Sequence, residues 1–240
     1  MSELAERVAP AAPAAPELLA LGDDALIAAQ RLAEWVSRAP TLEEDVALAN
    51  IALDQLGAAR LLLATAGDED ELAYLRDDHG FRNCLLVELP PGPARGDLDF
   101  GWTMAWLLML SAAQLLRYTD LAADGDEPAA GIGAKAVKES TYHLDHARQW
   151  TVRLGGGTEQ SRRRVQEALD GLWPYSHELT EGIRDRWLAL VEPVLAEAGL
   201  TRPADRWRPD GGRAGRHTEH LSYLLAEMQS LHRAHPGAQW

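Results

Sequence analysis

The chain has one cysteine, Cys84, in 240 residues. A lone thiol excludes an internal disulfide and a cysteine-rich zinc site, and reads as a small buried apolar side chain. A signal-peptide-like apolar run is also missing. Met1 to Pro16 is rich in Ala and Pro, carries Glu3 and Glu6, and reads as a loose tail. Together these absences point to a reducing, cytoplasmic setting. Basic charge is in deficit: 23 Lys and Arg stand against 37 Asp and Glu, a formal net charge of -14. Such a chain is repelled by phosphate backbones and anionic lipid, so neither nucleic acid nor a membrane is an expected partner. The longest uncharged stretch, Phe100 to Leu116, is interrupted by Thr103, Ser111 and Gln114. It falls short of the ~20 residues of a membrane span and reads as a buried central helix. Val, Ile and Thr are sparse and no long alternating run occurs, so strands are not expected.

What is present is helical. Ala and Leu dominate, and 46% of the residues are hydrophobic, enough for a core. A first helix is expected from Asp23, acting as N-cap after Leu21-Gly22, to Ala39-Pro40. Thr41 opens a second with Glu44 completing a capping box, and Val46, Ala49, Leu53, Leu56, Arg60 and Leu63 mark one face of it. Glu69 to Arg76 is a short helix, Asp77 to Gly80 a break, Phe81 to Glu88 either helix or strand, and Pro90-Pro91-Gly92-Pro93 a hard stop. Long helices follow over Leu98–Ala122 and Pro128–Leu154, the latter ended by Gly155-Gly156-Gly157. Thr158 starts a fifth, Ser176–Ala198 forms a sixth, and a basic loop leads to a last helix from His217 to Arg233. The expected organisation is a tail over residues 1–20 and one all-α domain over 21–240: an antiparallel four-helix bundle with additional C-terminal helices.

Bundles of this kind often hold two iron ions, each served by a Glu-x-x-His motif whose spacing aims both side chains at one metal. The residues three before the eight histidines are Arg76, Ser140, His143, Pro174, Ala214, His217, Gln229 and His232. None is Glu. The third long helix has no Asp or Glu between Phe100 and Thr119. No metal site is therefore expected. Gly-x-Gly-x-x-Gly, a phosphate loop with Lys, His-Glu-x-x-His and Gly-x-Ser-x-Gly are all missing too.

The remaining constellation is a stripe of Glu139, His143, His146 and Trp150 on the fourth long helix. It reads as a polar contact between helices or between subunits, with Asp54 as a partner for His143, or else as a metal or proton-transfer site. Lys135 and Lys138 in the same helix either snorkel to solvent or fill the space of an ion by pairing with Asp54 or Glu139. His217/His220 and His232/His235 are two-residue pairs, too few for a metal. Arg162-Arg163-Arg164 and Arg202, Arg206, Arg208, Arg213 and Arg216 form local basic clusters, suited to phosphates or acidic partners or simply solvated.

Several blocks in order carry a resemblance: Leu21-Gly22-Asp23-Asp24, Gln30-Arg31-Leu32, Glu34-Trp35, EEDVALANIALDQLGAAR over Glu43–Arg60, Phe81-Arg82-Asn83 with Leu85 to Glu88, Ala134 to Glu139 before Tyr142-His143-Leu144, HTEHL from His217, LAEMQ from Leu225, and Pro236 to Trp240. These resemble the C-subunit family of phenylacetyl-CoA epoxidases over nearly the whole chain after residue 20. The resemblance implies a ferritin-like fold without catalytic residues or iron of its own, paired with a homologous di-iron catalytic subunit. It also implies a small bridging subunit and a reductase carrying FAD and an iron–sulfur centre fed by NADPH. The assembly would convert phenylacetyl-CoA and dioxygen to the ring 1,2-epoxide, with the substrate at or near the interface between subunits. CoA contacts are implied at Gly80, Phe81, Arg82 and Asn83. Phe81 and Asn83 match the family pattern there, and Gly80 and Arg82 depart from it. A second contact loop after Thr180 is shortened in this chain. Asp54, Glu139, His143 and His146 then become a vestigial stripe. The competing readings are an independent ferritin-like protein and an acid–base enzyme using Glu139 and His143. An obligate subunit should leave an apolar face uncovered, on the second and fourth long helices or on the C-terminal helix.

Overall fold

The computed structural model describes residues 15–124 and 126–238, and the described residues contain helices and turns but no strand. Four long helices carry the architecture: α1 (Ala15–Ala33), α2 (Leu42–Leu63), α5 (Phe100–Asp124) and α6 (Glu127–Gly155). Between α2 and α5 lie the short helices α3 (Glu69–Tyr74) and α4 (Leu85–Glu88). After α6 come α7 (Glu159–Leu172), α8 (Ser176–Leu179), α9 (Arg184–Glu197), α10 (Glu219–Met228) and α11 (Ser230–Ala234). α1 packs mainly on α2 and α5 mainly on α6. Gly22 near the start of α1 lies against Leu62 and Leu63 at the end of α2, and Gly133 near the start of α6 against Tyr118 and Ala122 late in α5. Both pairs are therefore antiparallel, as short connections require.

Local chemistry explains most boundaries. Thr41 Oγ1 accepts from the Glu44 amide to cap α2. The capping box is only half made, because the Glu44 carboxylate faces His146 instead, 3.2 Å away. A complete box caps α7, where Thr158 and Ser161 exchange side-chain and backbone bonds. Three expected boundaries move. α1 begins at Ala15, so residues 15–20 belong to it, and Asp23 lies inside the helix as a buried ion-pair partner of Arg76, not at its N-cap. Residues 1–14 of the expected tail lie outside the described residues. The expected sixth helix is split at Thr180–Ile183, where Gly182 adopts φ +75°, into α8 and α9. The last helix starts at Glu219 and is interrupted at Gln229, whose amide donates to Ala73 O and Arg76 O. Phe81–Cys84 is extended and Leu85–Glu88 helical, so that segment contains no strand.

α5 is the spine. Met104 to Leu110 are all buried, because α6, α7 and α9 cover it on separate sides; a helix apolar all round is stable only when enclosed this way. Three tryptophans fill joints and satisfy their N–H groups. Trp187 donates to Met109 O at 2.9 Å, Trp106 to Leu86 O at 2.9 Å and Trp35 to Thr103 Oγ1 at 3.1 Å. Fully burying one such large apolar side chain contributes about 1.5–3 kcal/mol.

Candidate functional site

The centre of the bundle is polar but neutral. Gln55 on α2 and Gln114 on α5 exchange both amide bonds, at 2.8 and 2.7 Å. His143 on α6 completes the cluster, its Nδ1 3.4 Å from Gln55 Nε2 and its Nε2 3.1 Å from Asp54 Oδ2. Burial is the main influence on His143 and outweighs Asp54, so its pKa lies below the ordinary histidine value. On the same helical faces one turn earlier stand Ala52 and Ser140, both buried and neither a carboxylate. Among the described residues no group of three His, Cys, Asp or Glu is placed to hold a metal.

The rest of the stripe is half-buried. Lys135 pairs with Glu139 on the surface, its side chain about half exposed, so it does not turn inward to fill an ion's space. Glu139 and His143 are turned to different partners, Lys135 and Asp54, and form no acid–base couple. His146 faces Glu44, and burial pushes its pKa down. Trp150 packs edge-on against Phe100.

α2 is long and apolar enough to cross a membrane by length and composition, yet it sits in the bundle. Its outer face leaves Leu42, Val46, Leu53 and Leu61 exposed by 76, 52, 64 and 42%, and Tyr142 of α6 beside it by 54%. Beside it Glu44 Oε2 and His146 Nε2 face each other at 3.2 Å, and the buried Asp45 Oδ1 has no hydrogen-bond partner.

The Gly80–Asn83 segment lies at the opposite side of α1, held by a buried ionic network. Asp23 takes Arg76 and the Arg82 amide, Asp24 takes Arg213 at 2.6 Å and the Cys84 amide at 2.7 Å, and Glu178 takes the amides of Leu85, Gly211 and Arg213. Burial pushes the Asp23 pKa up, with Arg76 partly offsetting it. Burial opposes the charge on Arg213, but Asp24 beside it holds its pKa above the ordinary value. A Cβ on Gly212 would collide with Asn83 O, so only glycine lets the basic loop press this closely. Within the segment Phe81 and Asn83 are buried and turned inward; Asn83 donates to Glu88 at 2.9 Å. Gly80 closes a 3-10 turn over Asp78–Gly80. Arg82 alone of the four opens onto a cavity of about 770 Å³, which Arg117, Arg213, Glu178 and Glu181 also line.

The other predicted groups serve as struts. His217 Nδ1 lies 2.5 Å from Glu88 Oε1, and burial, which works against the charged imidazole, is outweighed by that carboxylate, so its pKa is raised. His232 stacks on Tyr74. Arg162 caps Gly155 O, Arg202 pairs with Asp205 and Glu192, and Arg206 and Arg208 stay exposed. Asp24, Gln55, Glu88 and Glu178, which organise the site, belong to no metal or catalytic motif, so spacing alone does not single them out. A Gln in mid-helix facing an uncharged helix that also carries a Gln is the only sequence signal for the central pair.

A sequence model of the phenylacetic acid catabolic protein family matches residues 6–182 and 179–240. The chain is also 43% identical, over 246 residues covering 92% of it and 97% of the relative, to the C-subunit of the 1,2-phenylacetyl-CoA epoxidase of Escherichia coli (strain K12).

Proposed function

The chain belongs to the phenylacetic acid catabolic protein family, and from that premise we propose that it is a metal-free, ferritin-like structural subunit of a multicomponent oxygenase that epoxidises the ring of phenylacetyl-CoA. The observation that carries the non-catalytic role is the bundle centre. Where a di-iron protein needs four carboxylates and two histidines, this chain has the Gln55–Gln114 amide pair, one histidine, and neutral Ala52 and Ser140. Amides and a single imidazole do not balance two ferrous ions, because neutral donors leave the charge of two divalent cations uncompensated in a buried site. In this reading the iron resides in a homologous partner subunit, and FAD, an iron–sulfur centre and NADPH act through a reductase, with a small subunit bridging the assembly.

The outer face of α2 with Tyr142 receives the homologous subunit. Supporting this are the four exposed aliphatic side chains on one side of α2 and the exposed Tyr142 beside them. The CoA moiety lies by the cavity at Arg82, where three guanidiniums suit its phosphates. The test is co-purification with the co-expressed partner. Leu53→Asp, which changes an exposed residue and spares the fold, should abolish it; retention of a complex by Leu53→Asp together with Val46→Asp would remove this face from the account.

A further inference from the structure

A second polar cleft, sharing no residue with the Arg82 cavity, lies between the end of α1, the Pro90–Gly96 loop and α10. It measures about 390 Å³, within the size range of small-molecule sites. Three guanidiniums line it. Arg31 is held rigidly, donating to Glu88 O and to Glu34 Oε1 at 2.7 Å, and its charge is balanced by Glu34. Arg38 bonds only a backbone carbonyl, Glu34 O at 2.9 Å. Arg95 rests over the ring of Tyr223, 4.0 Å from its centroid, a stacking that fixes the plane of its fork. Neither Arg38 nor Arg95 has a carboxylate within ion-pair distance among the described residues. His220 lines the cleft too, with its Nδ1 buried away from the opening. One carboxylate, Glu227, lies in the lining without a cationic partner, leaving one net positive charge.

We infer that this cleft binds a small phosphomonoester, its phosphoryl oxygens between the Arg38 and Arg95 forks and its organic part towards Pro90 and Leu224. Planar forks match phosphate oxygens bidentately, which a chloride ion cannot exploit. In a chain of net charge -14, two arginines without ion-pair partners facing one concavity, offset only by Glu227, form a local reversal of sign.

The test is calorimetric titration of the full chain at physiological salt with inorganic phosphate, adenosine monophosphate and sodium chloride as probes. Saturable binding of the ester at one site, competed by phosphate, is expected. Arg38→Gln and Arg95→Gln should each weaken it about tenfold, the loss of one charge-assisted contact. Glu227→Gln should tighten it severalfold by removing the like charge, a gain that misfolding cannot produce. The proposal is overturned if no saturable binding occurs, if phosphate binds but the ester does not, or if the arginine variants bind as tightly as the parent.

Discussion

Replacing Glu88 tests how the C-terminal segment is fastened to the bundle. Its carboxylate is fully buried and takes His217 Nδ1 at 2.5 Å, the Thr218 amide at 2.8 Å, Thr218 Oγ1 at 2.7 Å and Asn83 Nδ2 at 2.9 Å. Glu88→Gln keeps the shape and removes the charge. Losing the charge-assisted part of these bonds should cost about 1.5–3 kcal/mol, which for a chain of this size lowers Tm by roughly 3–12 °C. Glu88→Ala also leaves the Thr218 and Asn83 donors unpaired in a buried site, and should cost more than Glu88→Gln. The pH dependence follows from His217. Its folded pKa is raised above the ordinary 6.5, so the pair's contribution is complete below pH 6.5 and is lost as pH rises through the folded value. The Tm difference between parent and Glu88→Gln should therefore be largest near pH 6 and shrink towards alkaline pH, while the His217 ring resonances titrate above pH 6.5 in the parent and lower in the variant. Thermal unfolding followed by circular dichroism between pH 5.5 and 9 measures it. A difference that stays constant or grows with pH would refute the reasoning.

Other outcomes are equally open to measurement. Gln55→Ala should destabilise by about 1–3 kcal/mol, since Gln114 is left buried and unpaired, whereas Gln55→Leu with Gln114→Leu should cost less than the sum of the single changes in a denaturant double-mutant cycle. Gly155→Ala drives a Cβ into Ala198 O and Cβ, where α6 meets the end of α9, and should cost about 1–3 kcal/mol. Gly131→Ala, in the same helix with nothing within 4 Å, should instead stabilise by up to about 1 kcal/mol in chemical unfolding.

The helical class, the long helices and the Thr41 and Thr158 caps were legible because they rest on local chemistry: periodicity, side-chain caps and glycine stops. The errors share a different cause. Asp23 has the composition of an N-cap but is an interior residue whose charge is met by Arg76, 53 residues away. Ser176–Ala198 carries helical propensity throughout, yet Glu178 is taken by the backbone of Leu85 and Gly211, and the chain turns at Gly182 to allow it. At the site, the missing Glu-x-x-His motifs were visible in the sequence. What stands in their place was not, because the mutual bond of Gln55 and Gln114 spans 59 positions and has no fixed spacing. Likewise the resemblance implies CoA contacts at all of Gly80–Asn83, but the Phe81 and Asn83 side chains are turned into the core, where Asn83 meets Glu88.

The most direct test of the central claim is iron content and oxygen consumption of the purified chain, alone and co-purified with its homologous partner, with phenylacetyl-CoA and a reductase supplied. The account predicts no stoichiometric iron and no oxygen uptake by the chain alone, and iron with substrate-dependent uptake in the complex. Stoichiometric iron in the isolated chain, with oxygen consumed unaided, would contradict it.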